Sequence, residues 1–283
     1  MNVHHKSVDS IRSPLSPLLA PTDDHPRNPF TDIRVAITGG TSGLGLSLVR
    51  ELLDRGAKVA LVARSRDRVE CVVQELPAAH GIVGDVSRKE DIHPITMQIV
   101  GALGGLDVLI NNASDLGPIP LQLLADTECE DLERTLATNF FGPFRLTKAM
   151  LGSLAASARE CRGAVVVNVS SDAAVNAYPC WGAYGASKAA LLHLSRIWDE
   201  ELSSEGVRVL SIDPGDMDTP LHAAAVPDAD RSTLKRPEVA ARELADTVAA
   251  VLSRRTERQY KRQSDDSRSS SSPAPVQRKS NDR

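Results

Sequence analysis

Arg34-Val35-Ala36-Ile37-Thr38-Gly39-Gly40-Thr41-Ser42-Gly43-Leu44-Gly45, continued by Leu48, Val49, Leu52 and Leu53 before Gly56, carries the decision about the fold. The opening run is apolar without in/out alternation, as in a strand covered on both faces. The leucines and valine recur at helical spacing, and Gly56 supplies a helix stop. Between them lies a glycine-rich turn joining strand to helix. Glycine belongs there for three reasons: the chain turns tightly, the backbone must approach a phosphate, and the helix must meet the strand closely. Backbone N–H groups and the positive helix end then face a pyrophosphate. The spacing is TGxxxGxG and not GxGxxG, so the common dinucleotide pattern is not matched literally. The expected contacts are Gly39, Thr41, Ser42, Gly43, Leu44 and Gly45.

Outward from this turn, further strands are predicted at Lys58–Ala63, His80–Gly84, Leu106–Asn111, Ala164–Val169 and Val207–Ile212. Helices fit residues 65–76, 88–103, 128–151, 184–204 and 237–253. Strand and helix in alternation give right-handed βαβ units, hence an α/β fold: a doubly wound, Rossmann-type parallel sheet of six strands. The domain is expected over 32–253. Residues 1–31, with five prolines and no sustained period, read as a disordered arm. Residues 254–283 read as a disordered Ser/Arg-rich tail. Its nine basic and four acidic residues give it a charge of +5 within a chain of net charge -4.

Composition narrows the class. The 283 residues are 41% hydrophobic, enough for a sizeable core, and too polar in every window for a membrane-spanning helix. Net acidity argues against a nucleic-acid binder held by phosphate attraction. Cys71, Cys129, Cys161 and Cys180 are widely spaced, which suits reduced thiols in a cytoplasmic protein better than a disulfide framework or a zinc site. The seven histidines form no ligand pattern, so no metal is expected.

The second strand bears on the choice of cofactor. NAD sites place a carboxylate near its end to bond the ribose 2′-OH. Here the chain reads Val62-Ala63-Arg64-Ser65-Arg66, with no acid before Asp67. Arg64 matches a 2′-phosphate in charge and fork geometry, and Ser65 adds a hydroxyl. NADP(H) is therefore expected over NAD(H). Arg66 and Arg68 read as ordinary charges on the helix surface.

Five landmarks now stand in order: the Thr38–Gly45 turn, Gly84-Asp85-Val86, Asn111-Asn112-Ala113-Ser114, Tyr184-Gly185-Ala186-Ser187-Lys188, and Pro214-Gly215 with Thr219. In this the chain resembles the short-chain dehydrogenase/reductase family over roughly residues 33–221. The resemblance implies that Asp85 and Val86 bracket the adenine. It places Asn111, Asn112 and Ala113 along the cofactor cleft, with Asn111 and Ala113 also steadying the central strands. Pro214, Gly215, Met217 and Thr219 would lie beside the nicotinamide. Counting back 13 residues from Tyr184, the family's catalytic serine falls on Ser171, with Ser170 as the neighbouring alternative. Asn139 matches the family's helix asparagine, which supports a proton relay through the lysine. Two departures stand out. Ser114 replaces the usual glycine, and no seventh strand follows the last helix.

The chemistry also reads from the residues themselves. Tyr184 and Lys188 are spaced i, i+4 and share a helix face. A tyrosine ordinarily titrates near pH 10, and a nearby ammonium would bring its phenolate closer to neutrality. Lys188 is also long enough to hold nicotinamide ribose hydroxyls. The expected activity is hydride transfer between nicotinamide and a carbonyl or secondary-alcohol substrate. Tyr184 would be the general acid/base, with Ser171, Lys188 and Asn139 assisting. A nucleotide-binding regulatory or scaffold protein without turnover is the alternative. Sugar-nucleotide epimerisation would call for TGxxGxxG spacing and a larger C-terminal region. Apolar stripes at Leu132, Leu136, Phe140 and Phe144, and at Leu191, Leu194 and Trp198, together with the family's habits, suggest a homodimer.

Overall fold

Six apolar runs pair as parallel strands: β1 (Arg34–Thr38), β2 (Lys58–Ala63), β3 (His80–Val83), β4 (Val108–Asn111), β5 (Val165–Val169) and β6 (Arg208–Ile212). The computed structural model describes residues 28–269, with side chains through residue 253. The sheet order is β3-β2-β1-β4-β5-β6, and the described residues hold no seventh strand. The registers Ile37↔Leu61, Ile37↔Ile110 and Val167↔Leu210 align the carboxyl ends of the strands.

Alternate strand residues feed opposite layers. Val35, Ile37, Val59, Leu61, Ile110 and Val167 pack with α1 (Gly43–Asp54), α2 (Arg66–Glu75) and the start of α8 (Pro237–Ser269). Ala36, Ala60, Val62, Leu109 and Val166 pack with α3 (Lys89–Leu103), α5 (Gly142–Arg159) and α6 (Gly182–Leu202). Cores on both faces explain why the strands show no alternation of polar and apolar residues. They also create a ligand crevice where the strand order reverses, between β1 and β4.

Three expectations are corrected. Residues 128–151 are not one helix: α4 (Cys129–Leu136) passes through a π turn at Ala137–Phe141 into α5. Pro143 has no N–H for the carbonyl four residues before it, that of Asn139, so the regular ladder cannot pass there. Phe30, assigned to the N-terminal arm, is fully buried beneath the Arg55 guanidinium, 5.8 Å from its ring. The last helix continues past residue 253 to Ser269, through a stretch free of glycine and proline and rich in helix-favouring Arg, Gln, Glu and Lys. Residues 1–27 and 270–283, the rest of the two expected tails, lie outside the described residues. Among the described residues, no helix is long and apolar enough to cross a membrane.

Candidate active site

The carboxyl ends of β1, β4 and β5 open into one cavity of about 850 Å³. Its first wall is the glycine turn. Gly39 has φ +69°, and a Cβ there would come within 3.0 Å of Ala113 and the Asn112 amide. At Gly45 a Cβ would run into the Gly39 carbonyl. Only glycine permits this close fold of turn against the end of β4. Asn112 and Thr38 hold it. The Asn112 amide donates to the Thr38 carbonyl at 2.9 Å, and the Thr38 hydroxyl accepts from the backbone N–H of Asn112 and of Ala113, each at 3.0 Å. Thr41, Ser42, Gly43 and Leu44 complete this wall, and Asp85 and Val86 line the cavity beyond β3. A cradle of backbone held open by glycine fits a pyrophosphate.

The end beyond β2 is basic. Arg64 and Arg68 both line it and are exposed, and neither has an ion-pair partner among the described residues. Ser65 lines it too, and caps α2 by accepting from the Arg68 N–H at 3.4 Å. Arg66 points elsewhere, 3.8 Å from Glu70. Of the two arginines read as helix-surface charges, then, one belongs to the cavity and the other to the surface.

At the opposite end Tyr184 and Lys188 come together on α6 beside Ser171. Both are buried, Tyr184 at 7% exposure and Lys188 at 2%. The Lys188 ammonium donates to the Val169 carbonyl at the end of β5 at 2.9 Å, and sits 5.5 Å from the Tyr184 ring centre. Burial pushes its pKa down to about 8, against the opposing charge of Asp213. Tyr184 does not show the lowering expected beside an ammonium. Burial pushes its phenol above the usual tyrosine value, the hydroxyls of Ser171 and Ser114 pull it back, and Asp213 and Asp172 raise it further. Of the two serines at the end of β5, Ser171 is the one whose hydroxyl bears on the ionisation of the phenol. Its own proton faces Asp172, 3.2 Å away, and its oxygen accepts from the Ala173 N–H.

Pro214, Gly215, Met217 and Thr219 line the cavity as expected, and Thr219 caps α7 (Pro220–Ala225) by accepting from the His222 N–H. Two residues of the asparagine set stand apart. Asn111 is buried behind the cleft, donating to Asn168 at 2.8 Å and Thr147 at 3.2 Å, so it ties β4 to β5 and α5 without lining the cavity. Asn139, in the π turn, is fully buried. Its amide oxygen accepts from the Asp115 N–H at 2.8 Å and the Ser114 hydroxyl at 3.3 Å. Its nitrogen donates to the Asp115 carbonyl at 2.8 Å and the Ser187 hydroxyl at 2.9 Å.

Further residues line the cavity. Asp172 accepts from the Tyr178 hydroxyl at 2.6 Å, and Trp181 stands edge-on to Tyr184 with ring centres 5.7 Å apart. Asp213, Asp216 and His222 join them. Asp172 was open to discovery through its position directly after Ser171, and Asp216 through its place in the segment after β6.

Comparison with known proteins agrees with this geometry. The model of the short chain dehydrogenase family matches residues 34–230. An L-fucose dehydrogenase of Bos taurus is 33% identical over 197 residues, spanning 69% of this chain and 70% of that protein. A crystal structure of 3-ketoacyl-(acyl-carrier-protein) reductase from Brucella melitensis complexed with NADH superposes with TM-score 0.71 at 25% identity, covering 76% of this chain and 90% of that one. A short chain dehydrogenase from Shigella flexneri complexed with NADP gives TM-score 0.69 at 25% identity, with coverage of 75% and 89%.

Proposed function

The chain belongs to the short-chain dehydrogenase/reductase family of oxidoreductases, and from that premise we propose that it is an NADP(H)-dependent carbonyl reductase or alcohol dehydrogenase with Tyr184 as its acid/base. The observation that carries this is the gathering, in one cavity, of Tyr184, Ser171 and Lys188, the glycine cradle and Arg64, which has no ion-pair partner among the described residues. Bound NADP(H) would supply or accept the hydride. In reduction, Ser171 turns its proton from Asp172 to the substrate carbonyl and stabilises the growing negative charge. Tyr184 delivers its proton to that oxygen. Lys188 keeps one bond to Val169, and two further donors remain for ribose hydroxyls. Asn139 acts by position: its amide pins the Ser114–Asp115 turn to α6, leaving none of its side-chain atoms facing the substrate. Arg64, seconded by Arg68, would hold the 2′-phosphate. A panel of ketones, aldehydes and alcohols assayed with NADPH and NADH tests the reading. No turnover with any member, alongside tight nucleotide binding, would favour the regulatory alternative.

A homodimer is the proposed assembly. Leu132, Leu136, Phe140 and Phe144 are all half-buried, set at the margin of the core, and Phe141 and Ile197 stand 42% and 41% exposed near them. Phe144 stacks on Trp198, joining the two helices into one apolar face. Light scattering at micromolar concentration checks it, and a monomer would refute it. Four free cysteines support a reducing, cytoplasmic setting.

A further inference from the structure

The Ser171 hydroxyl points at a neighbour, Asp172, that it must leave in order to meet a substrate. Asp172 opens the short turn Asp172–Ala174, which Ser171 caps by accepting from the Ala173 N–H at 3.2 Å. The turn is closed in the backbone, with Ala174 N–H donating to the Ser171 carbonyl and Val175 N–H to that of Asp172. It packs on α6 so closely that a Cβ at Gly185 would come within 3.0 Å of the Ala173 carbonyl. On this fixed base the Asp172 carboxylate is held at both oxygens. Oδ2 accepts from the Tyr178 hydroxyl at 2.6 Å, and Oδ1 accepts from the Ser171 hydroxyl at 3.2 Å. Among the described residues the carboxylate meets hydroxyls and no cation. All three side chains line the catalytic cavity.

We propose that Asp172 selects the substrate: it accepts a hydroxyl on the carbon next to the carbonyl, so that the enzyme prefers α-hydroxy ketones and, in reverse, vicinal diols. The inference rests on the reading of Ser171 as the hydroxyl that meets the substrate carbonyl. When Ser171 turns its proton to that oxygen, Asp172 Oδ1 loses its donor while Tyr178 still holds Oδ2. The vacated acceptor stands 3.2 Å from Ser171 Oγ. Two oxygens on adjacent carbons, lying on the same side of the bond between them, are spaced about one hydrogen-bond length apart. One can therefore meet Ser171 while the other meets Asp172. A hydroxyl replaces a hydroxyl, and the carboxylate recovers the donor it gave up. In reduction the carbonyl carbon takes the hydride, its oxygen takes the Tyr184 proton, and the neighbouring hydroxyl keeps its own.

A simple ketone leaves Oδ1 to water. Asp172 is exposed, so water makes good part of the loss and the preference is moderate. Tyr178 matters here as a clamp: with Oδ2 held, Oδ1 stays turned toward Ser171 and the substrate.

Three ketones built on one ring read the preference: acetophenone, α-hydroxyacetophenone and α-methoxyacetophenone. The methoxy compound keeps the electron withdrawal of the hydroxyl and lacks its proton, so the hydroxy-to-methoxy ratio of kcat/KM isolates the donor. In the wild type that ratio should be about ten, the scale of one hydrogen bond to a charged group at an exposed site. Asp172→Ala should bring it to within about twofold of unity, and Asp172→Asn, which keeps an acceptor without the charge, should fall between. A wild-type ratio near one, or a ratio kept in Asp172→Ala, would overturn the proposal. So would a loss in Asp172→Ala that falls equally on all three ketones, because Asp172 would then only support Ser171. The premise fails separately: a Ser171→Ala enzyme that keeps wild-type kcat with acetophenone takes the serine away from the carbonyl, whatever the ratio shows.

Discussion

Two ionisable side chains are buried at opposite ends of the central strands. At the amino edge Asp107, with no exposed surface, precedes β4. It accepts from the Arg34 backbone at 2.8 Å, from the Arg34 guanidinium at 2.6 Å, from Arg162 at 3.0 Å and from the Ser157 hydroxyl. Burial would raise its pKa, but these bonds outweigh burial and hold the carboxyl below its usual value. At the carboxyl edge Lys188 is as deeply buried, yet has one backbone carbonyl for company and a pKa pushed down to about 8. The first site is saturated by the chain itself. The second is built with donors left over, which is what a site awaiting a ligand requires. The same sheet is thus closed at one edge for stability and left electrostatically unsatisfied at the other for chemistry.

The sharpest separation comes from Tyr184→Phe. It should lower kcat about 10²–10⁴-fold, the usual yield of a positioned acid/base, while the melting temperature stays level or rises. Steady-state rates with the best substrate of the panel, beside a thermal melt, measure both. Unaltered kcat would place the proton transfer elsewhere.

Asp107→Ala should do the reverse. Removing the carboxylate takes the shared acceptor from two guanidinium groups, of which Arg34 is 14% exposed and Arg162 33%, while the Ser157 hydroxyl keeps the Gly163 carbonyl. Solvent reaches both arginines, so the loss should fall at the lower end for a broken buried pair, about 3 kcal/mol. Urea unfolding reads it directly, and the refolded variant should keep its kcat. The lowered Asp107 pKa also sets a direction with pH. Its contribution is complete above the ordinary carboxylate range and is lost as pH falls through the lower native value. Wild type and variant should therefore converge in stability in acid.

What could be read in advance was what local sequence encodes. The turn from Thr38 to Gly45, the unalternating strands and the Tyr184–Lys188 spacing depend on neighbours a few residues apart. Asp107 looked like one polar residue in the apolar run Leu106–Asn111, because its partners lie 73 and 55 residues away along the chain. The π turn was hidden for a similar reason: its asparagine answers to Asp115 and Ser187, not to its own helix. The behaviour of Tyr184 depends on depth. Spacing showed that a lysine was near, but not that burial, with Asp213 and Asp172, would raise the phenol.

Cofactor choice extends the contrast to the adenosine end, where Arg64 also stands without a partner among the described residues. A charge-assisted bond to a 2′-phosphate contributes roughly 1.5–3 kcal/mol, or about a ten- to hundredfold preference for NADPH over NADH. Arg64→Ala should weaken NADPH by most of that factor and leave NADH nearly unchanged, as read by nucleotide titration of the free protein. Ala63→Asp should invert the preference by adding an acceptor for the 2′-OH and repelling the phosphate. Arg68, which lines the same end, would hold part of the preference after loss of Arg64. Equal dissociation constants in the wild type would show that neither arginine meets the nucleotide.

The smallest effect tests the comparison at its root. If Lys188 is held for function against its own solvation, replacing it with an apolar residue of similar shape should stabilise the folded chain. Lys188→Met keeps the length of the side chain within the buried space and removes the charge, at the cost of one hydrogen bond to Val169. The expected gain is about 1–2 kcal/mol near neutral pH, with loss of activity. The pH dependence follows from the lowered pKa. Below about 8 the lysine is charged in both native and unfolded chains, so the full burial penalty acts on the wild type. Between about 8 and the ordinary lysine value of 10.5, the native chain has released the proton that the unfolded chain still holds. Wild-type stability therefore gains ground with rising pH across that window, and the advantage of Lys188→Met shrinks. Urea midpoints for the two proteins at pH 7 and pH 9 supply the comparison. A variant less stable than wild type at pH 7, or an advantage that grows toward pH 9, would mean that the ammonium is satisfied within the fold, and the two ends of the sheet would no longer differ in kind.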